Sequence, residues 1–428
     1  MEEGHLRIIK SQVLERKSTL RAIEEIKSQV EEAEAKSELK AANNPLIRAA
    51  IKVVEDFLIK TGRVCYGGQA INSLLPTSLK FYDTKISLPD YDVYTPNIQK
   101  DLRMILRALR KAGFPEIGHR EGIHEGTIKV SVAFNDILDL TYMDPEIYDV
   151  LYKRSKIVNK IHNADANFLR SNMYKELSQP EGEIDRWEKV YTRLVILNEA
   201  IPPELCYEHE DGPITDIPKQ LYLDIMNFII NNKRIFAGGN LGNLYQKKTK
   251  NYSWILKDTH TPIIFYSPDI ENDISHLKIL IGASFTMEEF EARGDVVPSS
   301  VIVYSGKTVV AVLVEERACY SYNKIPIQIG RELFIASLDT AIRLFYQLNL
   351  LSEFPSVVET SLHCVAQNLV DISIKIRSGT IQSQFPLFSI ECTGHQQTKG
   401  SLIRAKKMRA KLRKLRMEAA STTRKLKK

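Results

Sequence analysis

The stretch from Tyr66 to Tyr94 constrains this chain more than any other: it reads YGGQAINSLLP, then a polar connection, then SLPDYDVYT. A β-prone run from Val64 to Tyr66 ends at Gly67-Gly68, a helix-like QAINSLL follows, and a second β-prone run carries Asp90 and Asp92 two positions apart. Alternate side chains of a strand share a face, so both carboxylates point the same way. Glycines let backbone N–H groups close on a polyphosphate, and the helix N-terminus behind them favours negative charge. Two carboxylates plus phosphate oxygens give a hard divalent cation the partial oxygen coordination it takes, and a third carboxylate would complete a two-metal arrangement. Taken singly, a Gly-Gly pair is most often a turn and Asp-x-Asp a solvated strand end. The order of the two carries the reading.

The flanking sequence fills in the frame. Residues 1–43 are dense in Glu and Lys and nearly free of Gly and Pro, an amphipathic helix. Asn44-Pro45 reads as a cap and first-turn proline before a helix from Leu46 to Leu58, which delivers the chain to the glycine pair. After the Asp90/Asp92 strand, Asn97 to Ala112 is helical and Thr127 to Phe134 alternates as a strand. The next run, Ile137 to Tyr142, carries Asp139; Asp136 lies on the opposite face, so Asp139 is the candidate third carboxylate, as ligand or as general base. The helical section Asn163 to Asn198 carries Arg170, Lys175, Arg186, Lys189 and Arg193 among aromatic residues, with Trp187 and Tyr191 spaced as one packed face.

These pieces together resemble the nucleotidyltransferase superfamily that includes DNA polymerase beta. The wording YGGQAIN, PDYDVY, TIKVSVAFNDILDLTYMD and LRSNMYKELSQPEGEIDRWEKVYTRLVILN is similar to the catalytic subunit of the poly(A) polymerases of nucleocytoplasmic large DNA viruses. The connection Pro76 to Ser87 is longer than is usual in the wider superfamily. The resemblance implies an α+β chain: a nucleotidyltransferase fold, a mixed sheet flanked by helices, with a second α+β domain. It implies an enzyme that adds adenylates from ATP to a single-stranded RNA 3′ end without a template, using Mg²⁺ or Mn²⁺. Asp90, Asp92 and Asp139 would hold the metals, Gly67 and Gly68 would meet the triphosphate, and Ser171 and Lys175 are nucleotide-pocket residues by resemblance alone. For partners it implies either a homodimer or a processivity subunit related to cap methyltransferases. For location it implies the host cytoplasm, at the viral factory, and the virion.

The organisation expected is an N-terminal helix over 1–43, a catalytic domain over 44–202, a C-terminal α+β domain over 203–400 and a basic tail over 401–428. Gly238-Gly239 followed by Asp269-Ile-Glu271 echoes Gly67-Gly68 and Asp90-Tyr-Asp92, so the second domain is read either as a degenerate repeat lacking catalysis or as a chance likeness of short Gly-rich and acidic pieces. Within it, Ser299 to Glu316 reads as a hairpin, Arg331 to Leu351 as one long helix, and Val357 to Val370 as another.

A chain of 428 residues has room for two cores. No apolar run approaches the ~20 residues of a membrane helix, and no leader stands at Met1, which leads to the expectation of a soluble protein. The five cysteines are scattered without a Cys-x-x-Cys pair, so reduced intracellular thiols and no zinc site are expected. The net charge of +6 is uneven: the tail from Arg404 carries roughly +11, with Arg404, Lys406, Lys407, Arg409, Lys411, Arg413, Lys414 and Arg416 as candidate RNA contacts. Two other readings stay open: another nucleotidyltransferase, of the oligoadenylate or tRNA-end type, and a non-catalytic RNA-binding subunit. Three converging, mutually repelling carboxylates argue against the last, since an inert site has no physical reason to keep them.

Overall fold

The computed structural model describes residues 17–82, 89–123, 126–206, 216–238, 241–246, 252, 254–257, 259–328, 330–351, 356–397, 400–401, 403–404 and 408. Helix α1 (Lys17–Ala42) leads into α2 (Pro45–Thr61), capped by the Asn44 side chain on Leu46 N at 3.0 Å and ended by Gly62 in the left-handed region. Its buried face, Ile47, Ala50, Ile51, Val54, Phe57 and Leu58, lies against the first of two sheets. That sheet has the strand order β3-β4-β5-β2-β1-β7-β6. Its strands are β1 (Val64–Tyr66), β2 (Tyr91–Thr95), β3 (Ile117–Glu121), β4 (Thr127–Val132), β5 (Asn135–Tyr142), β6 (Lys156–Val158) and β7 (Ile161–Asn163). Between them run α3 (Gly67–Leu74), α4 (Ile98–Lys111) and α5 (Pro145–Arg154). Helix α6 (Ala166–Leu177) and helix α7 (Trp187–Ala200) follow.

The second half repeats this plan. Its sheet has the order β10-β11-β12-β9-β8-β14-β13-β15. The strands are β8 (Ile235–Phe236), β9 (Ile263–Ser267), β10 (Phe285–Phe290), β11 (Ser300–Ser305), β12 (Thr308–Glu315), β13 (Tyr320–Gln328), β14 (Arg331–Ala336) and β15 (Cys392–Thr393). The helices are α8 (Lys219–Asn231), α9 (Leu241–Gln246), α10 (Ile270–Ile281), α11 (Leu338–Leu348) and α12 (Ser356–Arg377). The directions of pairing agree strand by strand: β1 with β2 and β8 with β9 are antiparallel, while β2 with β5 and β9 with β12 are parallel. On the other side, β1 with β7 and β8 with β14 are parallel.

A buried polar triad fixes the register between the halves. Arg63 grips the fully buried Asp101 with Nε at 2.6 Å and Nη2 at 3.3 Å, and Thr95 Oγ1 donates to the same carboxylate at 2.6 Å. Arg234 grips the fully buried Asp273 at 2.9 and 2.8 Å, and Ser267 donates to it at 2.7 Å. In each half a side chain two residues beyond that hydroxyl caps the next helix: Asn97 accepts from Lys100 N, and Asp269 from Asn272 N. Desolvated carboxylates of this kind are tolerated only when fully paired, which is why the arrangement recurs intact.

This register corrects the sequence reading of the repeat. Asp269 is the N-cap of α10 and Glu271 stands in its first turn, so Asp269-Ile-Glu271 matches Asn97 and its helix rather than Asp90-Tyr-Asp92. The strand positions facing Asp90 and Asp92 in the comparison are Pro262 and Ile264. The partner of Ile264 across β12 is Val312, as Asp139 is the partner of Asp92. Aliphatic side chains, buried at Ile264 and Val312, thus stand where the first half carries carboxylates. Gly239 lies outside the described residues. Asp269→Ala is therefore expected to leave any catalysis unchanged and to cost about 1 kcal/mol of stability through the lost cap, measured by urea unfolding beside an activity assay. A large loss of activity would give the second half a site of its own.

Two further expectations are corrected. Arg331–Ala336 is strand β14, and the helix begins only at Leu338 behind the Ser337 cap. The segment pairs with β8 and β13 and buries Leu333 to Ala336 continuously, so no alternation marks it as a strand. Four of the five cysteines are joined, Cys206 to Cys364 and Cys319 to Cys392, leaving Cys65 free and buried. Sequence separations of 158 and 73 residues hide such pairs from any inspection of local spacing. The second arises because β15 pairs with the start of β13. Among the described residues no helix is long and apolar enough to cross a membrane.

Candidate active site

Strand register brings the three carboxylates together. Tyr66, Asp92, Asp139 and Lys129 are successive partners across β1, β2, β5 and β4, and so share one face of the sheet. Asp90 stands just before β2, exposed, at the same edge. Asp139 is buried, its Oδ2 ion-paired with Lys129 and its Oδ1 without a hydrogen-bond partner. Asp136, by contrast, pairs outward with Arg120 at 2.6 Å. Tyr66 Oη and Thr141 Oγ1 share a hydrogen bond at 2.9 Å, and Tyr66 stacks on Tyr94 at 3.8 Å, so an aromatic pair flanks the carboxylates on the same face.

The electrostatics are those of crowded like charges. Burial, then Asp90, then Asp139 push the Asp92 carboxyl up to about 7. Burial also raises Asp139, against the opposing pull of Lys129. Burial and Asp92 together raise the Cys65 thiol. A set of hard carboxylate oxygens, one buried and unpartnered, with a carboxyl pushed up by burial and by its like-charged neighbours, fits a hard divalent cation.

A pH signature follows in the absence of metal. The folded-state pKa of Asp92 lies above its unfolded value of about 3.9, so between the two the folded chain binds more protons. The contribution is present at low pH and lost as pH rises through about 7, so Tm should fall across that range. Added Mg²⁺ should cancel the fall, and Asp92→Asn should flatten it. A metal-free Tm that climbs across the same interval in both proteins would contradict the assignment.

The glycine pair is built into the same corner. Gly67 has φ +71°, and a Cβ there would lie 2.2 Å from Asp92 Oδ2. A Cβ on Gly68 would lie 2.7 Å from Tyr82 Oη and 2.9 Å from Arg193 Nη1. Helix α3 starts at Gly67, so its first backbone N–H groups open beside the carboxylates. Helix α6, capped by Asp165 on Asn167 and Phe168 N, sets Ser171 and Lys175 one turn apart. Ser171 is buried. Lys175 is half-buried and its ammonium is held below the usual lysine range by burial and by Arg343.

The structure also sorts the basic residues that the sequence left together. Arg170 is structural, donating to Asn198, Asn167 and the Ile201 carbonyl. Arg186 ion-pairs with Glu176 at 3.4 Å and Glu183 at 3.2 Å within electrostatic reach of Asp92. Arg193 crowds Gly68, while Lys189 is exposed. Trp187 and Tyr191 pack on Phe388, as their spacing implied. Lys129 reads in the sequence only as a polar position of an alternating strand; its place opposite Asp139 follows from pairing of β4 with β5. Of the tail residues, Arg404 is exposed, and Lys406, Lys407, Arg409, Lys411, Arg413, Lys414 and Arg416 lie outside the described residues.

The mixed sheets with flanking helices, and the carboxylates on adjacent parallel strands, define a nucleotidyltransferase-type fold. Over 92% of this chain and 84% of the other, the fold matches the Megavirus polyadenylate synthase with a TM-score of 0.74 at 17% identity. Residues 52–183 match the family model of the poly(A) polymerase catalytic subunit, so the resemblance read from the sequence is borne out over that segment. A protein of African swine fever virus (isolate Tick/Malawi/Lil 20-1/1983), described as "Putative poly(A) polymerase catalytic subunit", is 34% identical over 122 residues, 28% of this chain and 26% of its own length. One of Acanthamoeba polyphaga mimivirus with the same description is 26% identical over 202 residues, 45% of this chain and 32% of its own length. The matched sequence thus spans about a quarter to a third of these relatives.

Proposed function

We propose that the chain is a polynucleotide adenylyltransferase that extends a single-stranded RNA 3′ end with adenylates from ATP. The observation that carries this reading is the alignment of Asp92 with Asp139 across β2 and β5 beside the Gly67-Gly68 turn, within the segment that matches the family model. Divalent ions held by Asp90, Asp92 and Asp139 would supply activation of the 3′-hydroxyl and neutralise charge on the departing pyrophosphate. The chain's own contribution is placement. Backbone N–H groups at Gly67 and Gly68 meet the triphosphate, and a side chain would push Asp92 aside at the first position and Tyr82 and Arg193 at the second. Ser171 and Lys175 reach the nucleotide from α6, where burial and the neighbouring Arg343 disfavour the Lys175 charge and an arriving anion would favour it. Asp139 Oδ1 is the oxygen free to take a ligand or the 3′-hydroxyl proton, because Oδ2 is engaged by Lys129. The 3′-oxygen then attacks the α-phosphorus in line as the bond to pyrophosphate breaks.

The basic tail supports RNA as the acceptor over a small molecule, since clustered positive charge follows a polyanion. A homodimer or a methyltransferase-related subunit remains the proposal for partners. The reading is tested by incubating the purified chain with α-labelled ATP, an unlabelled oligoribonucleotide and Mg²⁺ or Mn²⁺, against a chelator control. Label carried into lengthened RNA, and lost with the chelator, supports it. Label left in ATP while RNA is retained on a filter would favour a binding subunit instead.

A further inference from the structure

The connection between the glycine pair and the acidic strand, read from the sequence as longer than usual, is described as far as Tyr82. Asn72 of α3 sets its course: Oδ1 accepts from Phe81 N at 2.9 Å and from Tyr82 N at 3.0 Å, and the amide nitrogen donates to Tyr82 O at 3.5 Å. The buried asparagine thus fixes two consecutive aromatic residues relative to the helix that begins at the glycine pair. Both rings meet Arg193 of α7. Its guanidinium carbon lies 5.1 Å from the Phe81 centroid and 5.4 Å from the Tyr82 centroid, and Nη2 donates to Tyr82 Oη. The assembly abuts Gly68, where a Cβ would stand 2.9 Å from Nη1 and 3.1 Å from Nη2. Asp90 and Asp92 act electrostatically on Tyr82, which puts the aromatic platform beside the acidic edge as well.

We propose that Arg193 is a ligand for the triphosphate of the incoming nucleotide, presented over the Gly67-Gly68 turn, and that Phe81 and Tyr82 are the residues that position it. The inference rests on the nucleotidyl-transfer reading above and adds to it a phosphate ligand and a use for the long connection. A guanidinium is suited to this place because its planar fork of N–H donors matches phosphate oxygens. Stacking on two rings and donating one N–H to a phenol holds that plane before the nucleotide arrives, so little order remains to be imposed on binding. The absence of a side chain at Gly68 then has a specific purpose: a methyl group there would fill the space in which guanidinium and phosphate meet. Among the described residues Arg193 forms no ion pair with a carboxylate, unlike Arg186 two turns before it. The contrasting role, a clamp that only tethers the connection to α7, would leave nucleotide affinity untouched.

The test uses the full chain with Arg193→Gln, Arg193→Lys, Tyr82→Phe and Tyr82→Ala, each checked for unchanged thermal unfolding. Two quantities are read: KM and kcat in primer extension, and calorimetric binding of ATP and of adenosine in the presence of Mg²⁺. Losing a charge-assisted phosphate contact should raise both the KM and the Kd for ATP by roughly ten- to a hundredfold in Arg193→Gln, with adenosine binding and primer KM unchanged. Arg193→Lys should recover part of the loss. Tyr82→Phe, which keeps the ring, should cost only about two- to fivefold in KM, and Tyr82→Ala more, with kcat changed less than KM in both. An Arg193→Gln protein that is folded and binds ATP as tightly as wild type would overturn the proposal. So would equal weakening toward ATP and adenosine. Should wild type add no nucleotide at all, the polymerase reading fails, and the comparison of ATP with adenosine still decides the role of Arg193.

Discussion

Asp92→Asn should reduce nucleotide addition by about a thousandfold or more while leaving the chain folded, because the carboxylate proposed to hold metal would stabilise charge that develops at the reacting phosphate, an effect worth several kcal/mol there. The substitution is nearly isosteric, so packing on β2 is preserved. Its second effect has the opposite sign. Burial and the neighbouring Asp90 and Asp139 oppose a charge at this position, so removing it relieves repulsion, and the metal-free protein should melt higher than wild type at neutral pH. Loss of activity through unfolding would instead be accompanied by a lower Tm. Single-turnover extension and calorimetry on the same preparation separate the two. Retained activity would remove Asp92 from the chemistry; a lower Tm would remove the account of its environment.

Gly67→Ala carries the next largest effect, and for a reason unlike ordinary overpacking. The backbone at Gly67 has φ +71°, which costs an L-residue roughly 1–2 kcal/mol. The added methyl would fall 2.2 Å from Asp92 Oδ2, closer than any real contact. A carboxylate end can swing aside at small energetic cost, so the chain should still fold, but the swing displaces the very oxygen proposed to hold metal. A misplacement of that order near reacting atoms is worth about 10²-fold in rate. The expected pattern is a fall of about a hundredfold in kcat, a weaker Mg²⁺ dependence curve displaced to higher concentration, and a loss of roughly 1–2 kcal/mol by urea unfolding. Extension at the wild-type rate would show that Asp92 Oδ2 is not needed where it stands.

How far the sequence went depended on whether a feature was written in contiguous residues. Gly67-Gly68 and Asp90-Tyr-Asp92 were legible because turn, helix and strand follow each other within one segment, and Asp139 because strand alternation separates it from Asp136. Asn44 as a helix cap was legible for the same local reason, whereas Asn97, read as the first residue of its helix, is the cap of a helix that begins at Ile98. What was illegible is set by pairing between distant strands. Lys129 meets Asp139 only through the β4–β5 register, and Cys319 meets Cys392 only through β13 and β15. Strand β14 is buried along Leu333 to Ala336, which erases the alternation that would have announced it and let RELFIAS pass for the start of a helix.

The repeat shows the same limit from another direction. Similar wording placed Asp269 against Asp90, but the buried triads Arg63–Thr95–Asp101 and Arg234–Ser267–Asp273 set the register seven residues away. Those residues are conspicuous only once their hydrogen bonds are known. Likewise the arginines of α6 and α7 look alike in sequence, while the fold buries Arg170 among amide and carbonyl oxygens and sets Arg193 against Gly68. A charge on a helix acquires its role from what the next element brings to it.

The proposal that this chain adds adenylates to RNA 3′ ends is decided by extension of a labelled single-stranded RNA primer with each nucleoside triphosphate supplied separately, beside the Asp90→Asn/Asp92→Asn protein. A long ladder with ATP, little with the other three, and none with the double variant is the expected result. One or a few additions with any base would contradict it in favour of an end-repair or oligonucleotide-synthesising enzyme, and an equal ladder from the double variant would contradict the site itself.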